Sequence, residues 1–135
     1  MDGLVKVLQD KEKARSIMKM VDETLKMINT IDYKKFPSNV VKEYYDVLRE
    51  LVSVILLLDG YKTIGEGAHK KLIEYLEGNY KDVRQDEITL LGDLRNLRNR
   101  IAYDGFFVGS DYLERKKASI TSLIDKLKSI AVKKL

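Results

Sequence analysis

The sequence predicts an all-α fold, an antiparallel four-helix bundle with one additional short helix, in a single domain that covers residues 1–135. Three observations support this prediction. Apolar residues recur at spacings of three and four in the long segments, no segment alternates convincingly between apolar and polar residues, and glycines with the single proline divide the chain into about five pieces. With 44% apolar residues, the chain is long enough for one hydrophobic core.

The first two helices follow from their apolar stripes. We expect the first over residues 4–31, where one stripe contains Ala14, Ile17, Met18, Val21, Leu25 and Ile28. The segment DYKKFPSN then breaks the chain, and Pro37 with Ser38 can start the second helix. Residues 51–58 are almost wholly apolar, so this helix should be central or covered on two sides.

The last three helices are separated by glycine-containing segments. The loop DGYKTIGEG leads into a shorter third helix that begins near Ala68 and ends at Gly78 and Asn79. Asp86 is expected to cap the fourth helix, in which an apolar row lies beside a row of arginines. After YDGFFVGSD, the fifth helix has apolar residues at helical spacing from Leu113 onward.

Composition excludes several classes of protein and site. The chain has no cysteine and one histidine, which excludes disulfides and zinc sites built from these residues, and we expect no cofactor and no metal. Its longest apolar stretch is far below the roughly 20 residues of a membrane span, and its N-terminus lacks a signal-peptide pattern. We therefore expect a cytoplasmic protein without membrane contact. A net charge of +4 permits nucleic-acid binding without arguing for it.

The segment RNLRNRIAYDG at residues 95–105 is the chain's most distinctive feature, because it contains three of the seven arginines. Guanidinium groups are always charged and fork-shaped, which suits them to phosphate. Tyr103 falls on the same helix face as two asparagines. The candidate ligand-binding residues are Arg95, Asn96, Arg98, Asn99 and Arg100. The alternative is that these arginines pair with acids such as Asp93 and Asp104.

RNRIAYDG at residues 98–105, late in the fourth helix and preceded by GYKTIGEGAHKKLIEYL, resembles the HEPN superfamily of higher eukaryote and prokaryote nucleotide-binding domains. Its members have Arg, often followed by Asn, and His a few residues later. Arg98 and Asn99 match the first part, and Tyr103 stands at the histidine position. The resemblance implies RNA or a nucleotide as ligand, a homodimer with both motifs in one cleft, and in some members a nucleotidyltransferase partner. Catalytic members are metal-independent ribonucleases.

The tyrosine in the motif changes the expected activity. A phenol stays protonated at neutral pH and is a poor general base, so we expect RNA or nucleotide binding with weak or no catalysis. The alternative is a ribonuclease, the toxin of a toxin–antitoxin pair, with Arg98, Tyr103 and His69 as catalytic candidates. A third interpretation is a structural helical dimer with no ligand.

His69 is a candidate because it opens the third helix, and the start of one helix lies near the end of its antiparallel neighbour. It could equally be a surface residue in a first helical turn. Arg98 and Tyr103 should lie about 140° apart on a regular helix, so their approach is expected to need a loosened helix or a second chain. We expect a homodimer because residues 51–58, with Phe106 and Phe107, offer more apolar surface than one such domain buries.

Overall fold

The computed structural model describes residues 3–135, which leaves only residues 1 and 2 of the predicted domain outside it. It confirms the all-α class. Five helices are present in this part of the chain, together with a small two-stranded sheet. The helices are α1 (Lys11–Thr30), α2 (Pro37–Asp59), α3 (Ala68–Asn79), α4 (Gln85–Asp104) and α5 (Ser110–Lys134), and the strands are β1 (Leu4–Lys6) and β2 (Tyr61–Thr63).

Helix α2 is the centre of the fold, as its apolar composition predicted, because it packs against each of the other four helices. Pro37 occupies its first turn, where a missing N–H costs nothing, and Gly60 ends it in the left-handed conformation with φ 89°. The Oγ atom of the buried Ser38 accepts a hydrogen bond of 2.9 Å from the Val108 N–H, which fastens the loop after α4 to the start of α2.

The apolar residues in the last two turns of α2 are covered within one chain. Leu51, Val54, Ile55 and Leu56 are all fully buried, and Leu58 is 5% exposed. The expectation that residues 51–58 leave excess apolar surface is therefore wrong. The homodimer remains a prediction, but this segment does not support it.

Strand β1 replaces the first turns of the helix predicted over residues 4–31. It pairs antiparallel with β2, with Leu4 opposite Thr63 and Lys6 opposite Tyr61. Helix α1 begins only after Asp10, whose Oδ1 accepts a hydrogen bond of 2.9 Å from the Lys13 N–H. Three-residue strands are too short to show an alternating pattern, which is why the sequence did not reveal them.

Helix α4 begins at Gln85, and its N-terminus is not capped by Asp86 as predicted. Instead the Arg84 N–H donates to Oε1 of Glu87 at 2.9 Å, and Asp86 lies in the first turn, 3.0 Å from Nε of Arg84. At its other end α4 stays helical through Asp104, and Gly105 terminates it with φ 65°.

The predictions for α3 and α5 are confirmed. Helix α3 begins at Ala68 and ends at Asn79, and the apolar side chains predicted for α5 are buried at Leu113, Ile120, Leu123, Ile124 and Leu127. No helix within residues 3–135 combines the length and the apolar content that crossing a membrane requires.

Candidate functional site

A cleft of about 240 Å³ separates the start of α3 from the C-terminal half of α4. Its lining residues are Gly65, Gly67, Ala68, His69, Lys70, Arg95, Asn99 and Tyr103. We call it the α3–α4 cleft. It brings together His69 and three candidates from the segment at residues 95–105, so the prediction that His69 lies beside that segment is confirmed.

His69 is half-buried on the α3 side of the cleft, with its ring centroid 6.3 Å from the ring of Tyr45 on α2. Burial lowers the pKa of His69 below its ordinary value, the positive charges of Arg49 and Arg98 lower it further, and Asp46 opposes them. The imidazole is therefore predominantly neutral at pH 7. In that form it can accept a proton or a hydrogen bond from a ligand.

Arg98 belongs to a charged cluster next to the cleft. Its Nε lies 3.7 Å from Oδ1 of Asp46, and Nε of Arg49 lies 3.8 Å from the same oxygen. Both distances are too long for a hydrogen bond, and all three atoms are buried without a hydrogen-bond partner. The Arg49–Asp46–Arg98 cluster thus has two positive charges for one negative charge and leaves polar atoms unused.

Arg95 lines the cleft directly and is half-buried. Within residues 3–135 neither Arg95 nor Arg100 forms an ion pair, and neither Asp93 nor Asp104 takes part in one. Arg98 does pair with an acid, Asp46 on α2, so in the described residues the alternative that the arginines pair with acids holds for Arg98 and not for Arg95 or Arg100.

Tyr103 is 76% exposed at the rim of the cleft, and Cζ of Arg98 lies 5.9 Å from the centroid of its ring. The approach occurs within one chain, on a helix that stays regular through Asp104. The expectation that it needs a loosened helix or a second chain is wrong, because the two long side chains span the angle between their positions. The phenol and the guanidinium therefore lie in the same region.

Asn96 and Arg100 are directed to the other side of α4. They line a depression of about 270 Å³ next to α5, together with Tyr112 and Lys116. The Arg100 guanidinium stacks on Phe106 with 3.8 Å between Cζ and the ring centroid. The five candidate ligand-binding residues are thus divided, with Arg95, Arg98 and Asn99 at or next to the α3–α4 cleft and two residues away from it.

Another polar depression, of about 280 Å³, lies between the start of α4 and α5. Three of its four charged residues have partners, since Arg84 pairs with Asp86 at 3.0 Å and the buried Glu87 accepts a hydrogen bond of 2.6 Å from Lys126, and Lys116 is the exception within residues 3–135. It offers less unused charge to a ligand than the α3–α4 cleft does. In the described residues no three His, Asp or Glu side chains are grouped so that they could hold a metal ion.

Sequence reasoning missed the contribution of α2, which supplies Asp46, Arg49 and Tyr45 beside the cleft. The available signal was a pair of opposite charges three positions apart on α2, which also indicates an ordinary ion pair. Compared with protein-family models, with curated proteins and with solved structures, the chain gives no match. Interpretation of the site therefore depends on its geometry.

Proposed function

We propose that this chain is a HEPN-like protein that binds the phosphate groups of RNA or of a nucleotide in the α3–α4 cleft. The observation that supports this most is the excess of positive charge: Arg49, Arg95 and Arg98 lie at or next to the cleft, whereas Asp46 is the one acid in an ion pair with any of them in the described residues. Phosphate oxygens provide the acceptors that these guanidinium groups lack.

Each side chain at the cleft can contact a different part of the ligand. Arg95 has no acid to release, so it is the first contact for a phosphate. Asn99 can hydrogen-bond a phosphate oxygen or a base edge, and the exposed ring of Tyr103 can stack on a base. Arg98, whose Cζ lies 5.9 Å from the centroid of the Tyr103 ring, contributes positive charge. Binding of this kind requires no histidine in the motif.

A metal-independent ribonuclease is the second candidate, because His69 and Tyr103 line the same cleft. In this mechanism neutral His69 takes the proton of the ribose 2′-hydroxyl, whose oxygen attacks phosphorus. The phosphorus–5′-oxygen bond breaks, and the leaving oxygen takes a proton from the Tyr103 hydroxyl, while Arg95 and Arg98 stabilise the developing negative charge. A homodimer and a nucleotidyltransferase partner are further parts of the proposal, and both are based on the HEPN resemblance.

Arg95→Ala is the sharpest test, because Arg95 has no structural ion pair within residues 3–135. We expect affinity for a fluorescein-labelled single-stranded RNA or for ATP to fall about tenfold or more, which corresponds to roughly 1–3 kcal/mol for a charge-assisted contact. Arg15→Ala, an exposed arginine on α1, is the control and should bind like the parent. Fluorescence anisotropy at several salt concentrations measures both affinity and the number of phosphate contacts.

The competing interpretations give different results. Cleavage of the RNA in the presence of EDTA, lost in His69→Gln but kept in Arg15→Ala, identifies the ribonuclease. Equal and weak binding of RNA and ATP by the parent and Arg95→Ala rejects the proposal and leaves a helical protein with no anionic ligand in this cleft.

A further inference from the structure

Helix α1 has two apolar stripes. The first faces the core through Ala14, Met18, Val21 and Ile28, all of them buried. The second lies roughly 100° further round the helix. It consists of Ile17, Met20, Thr24, Met27 and the adjoining Ile31. We call it the outer stripe; Met20 is 56% and Met27 44% exposed, and its other members are half-buried.

The outer stripe borders a groove on the surface of α2. Ile17 and Met20 line a depression of about 250 Å³ together with Arg49, Glu50 and Ser53. The described helix that packs extensively on α1 is α2. The ion pair from α1 to α5, between Asp22 and Lys128 at 2.7 Å, lies on the far side of α1. Neither neighbour covers the exposed methionines.

The order of residues in the outer stripe is self-complementary. Thr24 is its midpoint, Ile17 and Ile31 lie at equal distances on either side, and Met20 and Met27 lie between them. If two copies meet antiparallel across a two-fold axis at Thr24, Ile faces Ile and Met faces Met. A two-fold interface requires one patch to complement itself in this way. An unrelated partner has no such requirement.

The charged residues in the groove are also self-complementary. Arg49 and Glu50 are consecutive on α2 and both line the groove, so a two-fold axis allows each chain's arginine to face the other chain's glutamate. Methionine side chains adapt readily to an opposing surface. We infer that the outer stripe and the adjoining face of α2 bind a second copy of this chain, antiparallel and with two-fold symmetry. The inference depends on the proposed association of two copies. Because Arg49 also belongs to the charged cluster next to the α3–α4 cleft, the tests use Met20, Met27 and Thr24, which do not line that cleft.

Charged substitutions in the outer stripe test the surface. The parent should have about twice the 15.6 kDa mass of one chain in light scattering at micromolar concentration. Met20→Glu and Met27→Glu should each raise the dissociation constant on the order of tenfold or more, because they place an unpaired charge in an apolar interface. Val132→Glu on α5 is the matched control, since Val132 is 58% exposed, and should stay dimeric. Circular dichroism checks that every variant is folded.

A single cysteine tests the symmetry, because the chain has none of its own. Oxidised Thr24→Cys should form a covalent dimer across the axis, whereas Thr121→Cys, an equally half-buried threonine on α5, should not. A parent that is monomeric overturns both the association and the inference. A dimeric parent whose Met20→Glu variant stays dimeric, or in which Thr121→Cys cross-links as well as Thr24→Cys, overturns the inference alone. RNA binding measured on the same variants reports separately on the proposed function.

Discussion

Two aspartates on the same helix, Asp46 and Asp59, have opposite surroundings. Asp59 accepts hydrogen bonds from Lys134 at 2.7 Å, from the Tyr75 hydroxyl at 2.8 Å and from the Tyr80 hydroxyl. Asp46 has two arginines nearby, yet Nε of each lies beyond hydrogen-bond distance from its Oδ1. Both carboxylates face cations, but only one of them has its hydrogen bonds completed.

The difference separates a structural site from the binding site that we propose. Asp59 joins the end of α2 to α3 and to the end of α5, and its donors Lys134, Tyr75 and Tyr80 do not line the α3–α4 cleft. The cluster around Asp46 lies next to an open cleft and retains unpaired donors. Completed hydrogen bonds stabilise a fold, whereas an excess of positive charge next to a cleft favours the approach of an anion.

The largest effect is expected for Asp59→Ala. It removes the acceptor of three donors, so the free energy of unfolding should fall by about 2–4 kcal/mol. Urea unfolding followed by circular dichroism measures the loss, and Asp125→Ala, an exposed acid on α5, is the control. RNA affinity of the folded variant should equal that of the parent. A decrease below 1 kcal/mol would contradict the structural role given to Asp59.

A smaller loss of stability is expected for Asp46→Asn, which should also change RNA binding. Without its carboxylate the cluster has two uncompensated guanidinium groups, so the free energy of unfolding should fall by about 1–2 kcal/mol. Affinity for RNA should increase, because a phosphate no longer competes with the Asp46 carboxylate for Arg49 and Arg98. Added sulfate should restore stability to Asp46→Asn more than to Asp93→Asn, its control. If sulfate stabilises the two variants equally, the anion does not bind beside Arg49 and Arg98.

The smallest effect concerns pH, and the two regions should respond in separate windows. The folded-state pKa of His69 is lowered by burial and by Arg49 and Arg98, so the unfolded chain binds the proton more readily. Its contribution to stability is complete above about pH 6.5 and falls as the pH drops below that value. His69→Gln should remove this dependence in urea unfolding. Sulfate should weaken this pH dependence in the parent, because a bound anion favours the charged imidazole.

Asp59 responds only in stronger acid. Burial raises the pKa of Asp59, but hydrogen bonds from Lys134, Tyr80 and Tyr75 outweigh burial, and the net pKa lies below the ordinary value. Its contribution is therefore present above about pH 4 and is lost as the pH falls through the folded-state value. If Asp59→Ala and the parent lose stability in parallel below pH 4, another carboxylate is responsible.

Periodicity predicted most of the fold because helices depend on nearby residues. The start of α2 at Pro37, its end before Gly60 and the bounds of α3 all follow from local signals. Strand β1 was missed because its hydrogen-bond partners, residues 61–63, follow two whole helices later. Asp86 was misread as a cap because the reciprocal contact between Arg84 and Glu87 is not visible from residue type alone.

The candidate site was predicted only in part, for a related reason. The position of His69 beside the arginine segment followed from antiparallel helix order, which is a coarse property of the fold. The separation of Arg100 from Arg95 agrees with the angle of about 140° between residues five apart on a helix, but the stacking of Arg100 on Phe106 could not be predicted from spacing. Asp46 belongs to a different helix, and helical spacing cannot show which residues of one helix face another.

The β1–β2 ribbon has a consequence for the order in which the protein folds and for its internal motion. Each of its strands has only three residues, and the ribbon must close a loop that contains α1 and α2, so it should form late on the folding pathway. Residue 64, which follows β2 directly, donates from its N–H to the Gly3 carbonyl at 2.8 Å, just before the glycines that line the cleft. Opening of this short ribbon frees one wall of the cleft while the bundle stays folded. Amide exchange in β2 should therefore be faster than in α2, and we expect the same local opening to limit how quickly the proposed ligand enters.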